Sequence, residues 1–423
     1  MSPVFALVDC NNFYVSCERA FNPKLAEKSV IVLSNNDGCA VARSDEAKAL
    51  GIKMGVPVFE ILNIIKAHKV HVYSSNYALY GDMSQRVMQT LTRFTPDIEI
   101  YSIDESFLDL SGFTKWNLSE YGCKIKYTVE KWTGIPVSIG IAEKKTLAKI
   151  ANRIAKKSKK SNGVLDLTAS SYQDNALKLT DVEDVWGIGH SYRRFLKENG
   201  INNALQLRNA DDSFIKKKMG IVGIRLLQEL RGVSCYSLER SPPPKKGITV
   251  SRSFKQTIEN LDELLEAVAA YVSIGSEKLR KEHSAAEVLM VFLMTNRFKK
   301  ERYYNNMTTI RLPVSTSDTS ELIRYAHGGL IEIYRKGYQY KKAGVIFTGL
   351  VPETQVQTNF LDSKDRIHSN RLMKTLDNIN IRMGSGTLKY AAVGLGRNQK
   401  WKTAFDHRSQ SYTTSWNQLL EVS

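Results

Sequence analysis

The period of apolar and polar positions changes from segment to segment along this chain. Near the start, residues 4–8 form a continuous apolar run, which predicts a central strand ending in Asp9. A second apolar stretch surrounds the adjacent acids Asp104 and Glu105 and also predicts strand. Because neighbours in a strand point to opposite faces, converging acids require a bend. We therefore predict a hairpin with its turn near residues 102–105.

Three carboxylates thus stand in or beside predicted sheet. An unpaired carboxylate in a buried strand costs free energy or takes up a proton, and adjacent acids repel each other. If the two strands are neighbours, Asp9, Asp104 and Glu105 form an all-oxygen cluster, the ligand set that Mg²⁺ prefers. Such a cluster can hold two ions about 3.5–4 Å apart for in-line displacement at phosphorus. A hairpin tip with two solvated acids is the alternative for the second stretch taken alone.

Helical patterns lie between and after these strands. Residues 15–72 depart from the sheet pattern and predict one further strand, near residues 29–33, and a short helix over residues 45–50. Residues 144–160 have helical period with one buried apolar stripe. Basic residues lie largely on the opposite face of that helix, namely Lys145, Lys149, Arg153 and Lys156. A solvated basic face is the ordinary explanation of such a pattern.

Two glycine turns, at residues 187–189 and 219–223, each lead into a short helix. Glycine at such a turn lets backbone N–H groups approach a phosphate at a helix N-terminus. Both turns resemble helix-hairpin-helix units. With basic residues nearby, they favour a small helical unit that holds duplex DNA without reading its sequence.

The second half of the chain predicts a separate module. Residues 241–247 contain three consecutive prolines and form the clearest linker. Residues 248–350 follow the order strand, helix, strand, strand, helix, strand, which predicts an α+β unit. After residue 351 the chain becomes polar, with one predicted helix over residues 370–383. Aromatic residues are numerous for an unattached tail and predict docking on a partner: Trp401, Phe405, Tyr412 and Trp416.

Charge and cysteine content narrow the class of protein. The 423-residue chain has 60 lysines and arginines against 43 acids, a net charge of +17, which predicts a polyanionic partner. The sequence lacks an apolar run of about 18 residues, so we expect no membrane association. Its five cysteines are odd in number and contain no Cys-x-x-Cys pair, as expected for free thiols in a reducing cytoplasm. The histidines lack zinc-site spacing.

Several short motifs are weak alone but specific in their order and spacing. They are Asp9 to Tyr14, residues 34–39, residues 74–77, Ser102 to Glu105, residues 185–189 and residues 386–388. With them the chain resembles, over its whole length, the Y-family translesion DNA polymerases of the UmuC type. These are the catalytic subunits of DNA polymerase V, including those carried by plasmids or integrative elements.

The resemblance implies an α/β and α+β multidomain fold, the right-hand polymerase arrangement. Its expected parts are a palm (residues 1–14 and 73–166), fingers (15–72), a helix-hairpin-helix thumb (167–240), a linker (241–247), a little finger (248–351) and a C-terminal partner-binding region (352–423). The implied activity is error-prone, template-directed addition of dNTPs to a primer 3′-hydroxyl, in SOS-type damage tolerance and mutagenesis.

The same resemblance assigns roles to single positions. Two Mg²⁺ ions would be held by Asp9, the Cys10 carbonyl, Asp104 and Glu105, with Asp9 and Asp104 bridging both ions and Glu105 nearer the primer. Tyr14, ordinarily a core aromatic, matches the steric gate that excludes a 2′-hydroxyl, and Lys156 matches the lysine that reaches the triphosphate. Expected nucleotide contacts are Phe13, Tyr14, Arg43, Lys48 and Lys156. Expected DNA contacts are Gly187, Gly189, Arg193, Gly220, Gly223, Lys245, Arg252, Arg297 and Lys299.

Expected partners are primer-template DNA, a UmuD-type accessory dimer and a RecA-type recombinase, the last two at the C-terminal region. Gln357, Phe360 and Leu361 lie where relatives carry a sliding-clamp peptide. This sequence departs from that peptide, since threonine replaces an apolar second position and the final pair is inverted. Two other classes of protein would use the same acids and basic charge: a metal-dependent nuclease or phosphodiesterase, and a catalytically inactive DNA-binding scaffold.

Overall fold

The computed structural model describes residues 3–113, 115–168, 170–298, 302–396 and 399–419. The chain divides into two compact units. Unit 1 comprises Met1–Ser34, Gly38–Pro242 and His407–Ser423, and unit 2 comprises Asn35–Asp37 and Pro243–Asp406. The main division falls in the proline-rich segment predicted as a linker. Within the described ranges, no helix is both long and apolar enough to cross a bilayer.

The strands of the described residues belong to three sheets. In chain order they are β1 (Phe5–Cys10), β2 (Val30–Leu33), β3 (Ala40–Arg43), β4 (His71–Ser74), β5 (Ile98–Ile100), β6 (Glu105–Asp109), β7 (Val137–Ala142), β8 (Val164–Asp166), β9 (Gly247–Ile258), β10 (Ser284–Thr295), β11 (Asn305–Thr316) and β12 (Tyr340–Pro352). Unit 1 contains the sheets β5-β6-β1-β7-β8 and β3-β2-β4. Unit 2 contains the sheet β11-β10-β12-β9.

Helices cover these sheets. In chain order they are α1 (Phe13–Phe21), α2 (Asp45–Ala49), α3 (Val58–Ala67), α4 (Tyr77–Leu91), α5 (Leu118–Thr133), α6 (Lys145–Lys157), α7 (Ser170–Leu179), α8 (His190–Glu198), α9 (Ala204–Arg208), α10 (Asp212–Leu230), α11 (Leu261–Lys281), α12 (Thr319–Ile333) and α13 (Arg366–Met383).

Strand β1 is the centre of unit 1. It pairs antiparallel with β6 on one side and β7 on the other. Ala6 and Val8 face a core shared with α1, α4 and α5, whereas Phe5 and Leu7 face a second core shared with helices α6 to α10. Burial of both faces explains the continuous apolar run from which this strand was predicted.

The predicted hairpin is confirmed. Strands β5 and β6 pair antiparallel, and residues 101–104 form the turn between them. The predicted order of elements in unit 2 is also confirmed, since β9, α11, β10, β11, α12 and β12 follow one another along the chain. Helices α11 and α12 cover this sheet, and their apolar faces share one core with it.

Two predictions for unit 1 are wrong. Only β2 was predicted within residues 15–72, but β3 and β4 flank it. All three strands have four residues, but β2 is a continuous apolar run, whereas β3 and β4 mix apolar and polar residues and so give no clear signal. Lys145 was predicted on an exposed basic face, but only 3% of it is exposed. Its ammonium group pairs with Glu99 and lies 4.9 Å from the ring centroid of Phe107. A distant carboxylate therefore makes its burial possible.

The C-terminal aromatic residues correct a third prediction. Trp401 is buried in the core of unit 2, where its ring meets that of Tyr271 edge to face at 6.2 Å. Tyr412 stacks on Phe21 in unit 1, with ring centroids 4.9 Å apart. These two residues dock on their own chain rather than on a partner, whereas Trp416 is 86% exposed.

Gly140 brings β7 close to α6. A Cβ at this position would lie 2.1 Å from the backbone nitrogen of Asn152 and 2.2 Å from the backbone oxygen of Ala148. We expect Gly140→Ala to destabilise the protein by about 1–3 kcal/mol, because the helix must move away from the sheet. Urea unfolding measures the effect as a lower midpoint. Gly81→Ala, where nothing lies within 4 Å of the added Cβ, is the matched control and should not lower the midpoint. A parental midpoint for Gly140→Ala would contradict this account of the packing.

Candidate active site

The backbone positions of the three acids come together at one end of β1. In the antiparallel register, Asp9 is the partner of Glu105, and the backbone N–H of Cys10 donates to the Asp104 carbonyl at 2.9 Å. The predicted neighbourhood of the two acid-bearing strands is therefore confirmed. Ser102 fixes the turn, because its hydroxyl donates to Asp104 Oδ1 at 2.6 Å and accepts from the backbone N–H of Glu105 at 3.0 Å.

Helix α6 presents two lysines to these acids. Lys156 Nζ lies 2.5 Å from Asp9 Oδ1, and Lys149 Nζ lies 2.9 and 3.1 Å from the two oxygens of Glu105. The two lysines are seven residues apart, about two helical turns, and so lie on one face. Asp9 lies two residues after Leu7 in β1, so both side chains point to the same face of the sheet. That is the face on which α6 packs.

Lysines balance two of the three carboxylates of this cluster. Burial raises the pKa of Asp9 to about 7, and the neighbouring Glu105 and Asp104 add to the rise, although Lys156 opposes it. Within the described ranges, no three His, Cys, Asp or Glu side chains are grouped as a ready metal site. Lysine ammonium groups instead occupy positions beside two of the acids, where a divalent cation would serve the same electrostatic purpose.

Tyr14 lies in the first turn of α1 and belongs to a group of aromatic side chains. Its ring stacks on that of Tyr80, with centroids 4.3 Å apart and planes 14° apart, and meets Tyr77 edge to face at 6.4 Å. The preceding Phe13 is only 4% exposed and packs in the core. The predicted contact of Phe13 with the nucleotide stays a prediction.

The other two predicted nucleotide contacts differ in placement. Lys48 Nζ bonds to Asn12 Oδ1 at 2.6 Å and to Asp45 Oδ1 at 2.7 Å, which brings it to the loop between Asp9 and Tyr14. Arg43 donates to the carbonyl of Ile52 at 2.7 Å and so joins the end of β3 to the segment that follows α2.

The predicted thumb contacts form two glycine-dependent turns in unit 1. Gly187 has φ +88°, and Gly189 precedes the first residue of α8. Gly220, with φ +62° and ψ −153°, breaks the helical path of α10, and Gly223 packs on Met219. These conformations suit glycine and leave Ile221 and Val222 exposed beside the second turn. Arg193 forms an ion pair with Glu183 at 2.7 Å.

The predicted DNA contacts of unit 2 lie along or near its sheet. Arg252 lies within β9, and Arg297 follows β10 and lies 4.7 Å from the ring of Phe298. Lys245 pairs with Glu282 at 2.5 Å. Lys299 lies outside the described residues.

The predicted clamp peptide is fully accessible. Gln357 is exposed, and so are the apolar side chains of Phe360 and Leu361, the latter with 92% of its surface open. Two exposed apolar residues side by side are unusual in a polar segment.

The sequence analysis missed several residues that complete the site. Lys149 was part of a general basic face, although its spacing of seven from Lys156 was a usable signal. Tyr80 and Glu18 were not recognised, because their pairing, with Tyr80 Oη donating to Glu18 Oε1 at 2.7 Å, joins elements 62 residues apart. Such a long-range contact has no local sequence signal.

Comparison with known proteins relates the whole chain to one family. Residues 8–153 match the model of the impB/mucB/samB family, residues 245–360 match its C-terminal domain, and residues 370–422 match a domain of unknown function, DUF4113. Protein ImpB of Salmonella typhimurium is 42% identical, with 98% of this chain and 99% of that protein covered. Protein UmuC of the same species is also 42% identical, with 99% of this chain and 100% of that protein covered. DNA polymerase IV of Dehalococcoides mccartyi is 28% identical over 94% and 98%.

Solved structures show the same architecture. A Y-family DNA polymerase chimera of Dbh and Dpo4 matches with a TM-score of 0.67 and 22% identity, covering 82% of this chain and 99% of that one. The insertion ternary complex of Dbh DNA polymerase matches with a TM-score of 0.52, 22% identity and the same coverage.

The fold is therefore that of a Y-family DNA polymerase. The full-length similarity then places the chain more narrowly: it belongs to the impB/mucB/samB family, as a UmuC-type, error-prone translesion DNA polymerase of SOS mutagenesis and DNA repair. Polymerases of this class are metal-dependent nucleotidyltransferases. None of the comparisons favours a nuclease or an inactive scaffold.

Proposed function

We propose that this polymerase transfers nucleotides at Asp9, Asp104 and Glu105, with two Mg²⁺ ions as cofactor. The antiparallel register that sets Asp9 opposite Glu105, beside the Asp104 carbonyl on Cys10, is the observation that carries the proposal. Bound there, the ions would activate the primer 3′-hydroxyl for attack on the α-phosphorus of a dNTP and stabilise the departing pyrophosphate. The carboxylates and the Cys10 carbonyl provide the oxygen ligands that Mg²⁺ prefers.

The two lysines of α6 support a proposal in which metal ions would replace lysine as the positive charge beside the acids. Lys156 and Lys149 now neutralise Asp9 and Glu105. Were divalent cations to take over that role, both ammonium groups would become available for anions, and Lys156 would be placed to contact the triphosphate. Lys48, which bonds to Asn12 in the loop after β1, would be a second lysine near the triphosphate. Asp9 and Glu105 would thus have positive charge beside them both before and after the ions bind.

We propose that DNA and protein partners use surfaces outside the acids. The glycine turns of the thumb and the basic residues of unit 2 would hold the phosphate backbone without reading sequence. A UmuD-type dimer and a RecA-type recombinase would engage the C-terminal region, and a sliding clamp would engage Gln357, Phe360 and Leu361. A polymerase acting on DNA is expected in the cytoplasm.

The acids can be tested one at a time. We expect Asp104→Asn, and separately Glu105→Gln, to lower primer extension with dNTPs and Mg²⁺ by roughly a thousandfold, because each removes a charged metal ligand. DNA affinity, measured by fluorescence anisotropy at two salt concentrations, should stay near the parental value. Glu130→Gln on α5 removes a carboxylate that pairs with Lys126 on the same helix and is the matched control.

Plain and lesion-containing templates are used with the same proteins. Parental extension by Asp104→Asn would refute the assignment of that residue. Degradation of DNA without dNTPs would indicate the nuclease, and an inactive parent that still binds DNA would indicate the scaffold.

The role of Tyr14 gives a second prediction. We expect Tyr14→Ala to raise the ratio of ribonucleotide to deoxyribonucleotide insertion by roughly 10- to 100-fold, because loss of the ring removes the clash with a 2′-hydroxyl. Tyr14→Phe retains the ring and should discriminate like the parent. Single-nucleotide insertion kinetics measure both, and unchanged discrimination in Tyr14→Ala would show that another residue excludes ribose.

Clamp binding is tested separately by pull-down with purified sliding clamp. We expect Gln357→Ala combined with Phe360→Ala to abolish capture, because the side chains that would enter the clamp's apolar pocket are lost. Substitution of the nearby exposed Ile367 by alanine is the control. If the double variant is captured as well as the parent, the peptide is not the clamp contact. The same assay with a UmuD-type dimer and a RecA-type recombinase tests those partners.

A further inference from the structure

The chain returns to unit 1 at His407 and adds a short extended segment to the edge of β4. The backbone N–H of Ser74 donates to the His407 carbonyl at 3.0 Å, and the backbone N–H of His407 donates to Ser74 Oγ at 2.8 Å. Ser74 and Arg408 form a parallel β-bridge. We call residues 407–412 the strap. It occupies an edge that would otherwise be open for pairing with another strand.

Two further contacts hold the strap. Asn76, only 1% exposed, donates through Nδ2 to Ser409 Oγ at 3.0 Å and to the carbonyl of Gln410 at 3.2 Å. Its Oδ1 also caps the start of α4, by accepting from the backbone N–H of Leu79. At the far end of the strap, the Tyr412 ring lies parallel to that of Phe21. Because the two hydrogen bonds of Asn76 are directional and start from a buried side chain, they fix the position of Ser409.

Ser409 completes a chain of contacts that ends at Tyr14. Its hydroxyl donates to Glu18 Oε1 at 3.0 Å, and the Tyr80 hydroxyl donates to the same oxygen at 2.7 Å. Glu18 is 1% exposed, and burial raises its pKa, while both hydroxyls favour the charged form. Tyr80 in turn stacks on Tyr14 at 4.3 Å.

We propose that the strap positions the Tyr14 ring through Ser409, Glu18 and Tyr80, and thereby contributes to the selection of deoxyribose over ribose. The inference rests on the proposed role of Tyr14 as the sugar gate. It gives a role to part of the stretch that matches a domain of unknown function. Ser409, Glu18 and Tyr80 are positioning residues, because each acts through its neighbour rather than on the nucleotide.

The physical reason is the dependence of one buried carboxylate on two donors. Without the Ser409 hydroxyl, Glu18 keeps Tyr80 as its remaining hydroxyl partner in a site that water does not reach, so the carboxylate is free to move or to take up a proton. Tyr80 is then held less firmly and provides a less fixed surface for Tyr14. A mobile gate still permits dNTP insertion, but it tolerates the extra hydroxyl of a ribonucleotide better.

The test measures kcat and KM for a dNTP and its ribonucleotide with the full-length protein. We expect Ser409→Ala to raise the ribonucleotide-to-deoxyribonucleotide ratio of kcat/KM roughly tenfold, the size of effect produced by losing one hydrogen bond to a charged group, mainly through a lower KM for the ribonucleotide. The dNTP kcat should remain close to parental. Ser409→Thr, which keeps the hydroxyl, should discriminate like the parent. Tyr80→Phe, which removes the other hydroxyl that donates to Glu18, should weaken discrimination.

The Tyr14→Ala background separates positioning from a general loss of structure. There, Ser409→Ala should cause no further change in the ratio, whereas general damage would lower both insertion rates in either background. If Ser409→Ala and Tyr80→Phe both keep the parental ratio while Tyr14→Ala changes it, the strap proposal is overturned and the proposed function stands. If Tyr14→Ala itself changes nothing, the sugar-gate assignment fails and the strap proposal fails with it.

Discussion

Carboxylates of like charge at the centre of a sheet need positive charge beside them, and much of unit 1 follows from that need. Asp9 and Glu105 are opposite one another on β1 and β6, where the low local dielectric strengthens their repulsion. Two lysines on one face of helix α6 provide this positive charge. Gly140 allows the helix to approach the sheet closely enough for the lysines to contact the acids. The packing of α6 and the electrostatics of the acids are therefore set by the same contact.

The sequence predicted those parts of the fold whose signal is local. The buried strand β1, the hairpin of β5 and β6 and the six-element order of unit 2 all have clear periods or turn chemistry within a few residues. The pairing of Asp9 with the 104–105 acids is not local, and it could be inferred only because buried acids require a shared cation. No such chemical reason pointed to β3 and β4, which are short, or to Lys145, whose partner Glu99 lies 46 positions away.

The C-terminal region shows a different limit of sequence reasoning. Its aromatic residues correctly suggested docking, but their surfaces are provided by the chain itself at Tyr271 and Phe21. Attachment of the strap depends on side-chain amide and hydroxyl groups, and such groups leave no apolar period in a sequence. A partner that binds this region therefore meets a backbone already bonded at Ser74, not a free peptide.

The central position of β1 also has a consequence while the chain is being made. Its neighbour β6 is synthesised about a hundred residues later, and β7 later still, so at about 5–20 residues per second the strand has neither of these partners for roughly 5–20 s. An apolar strand with two open edges invites pairing between nascent chains. Two copies aligned in parallel register would bring their Asp9 carboxylates together, so this charge opposes such self-association on the ribosome.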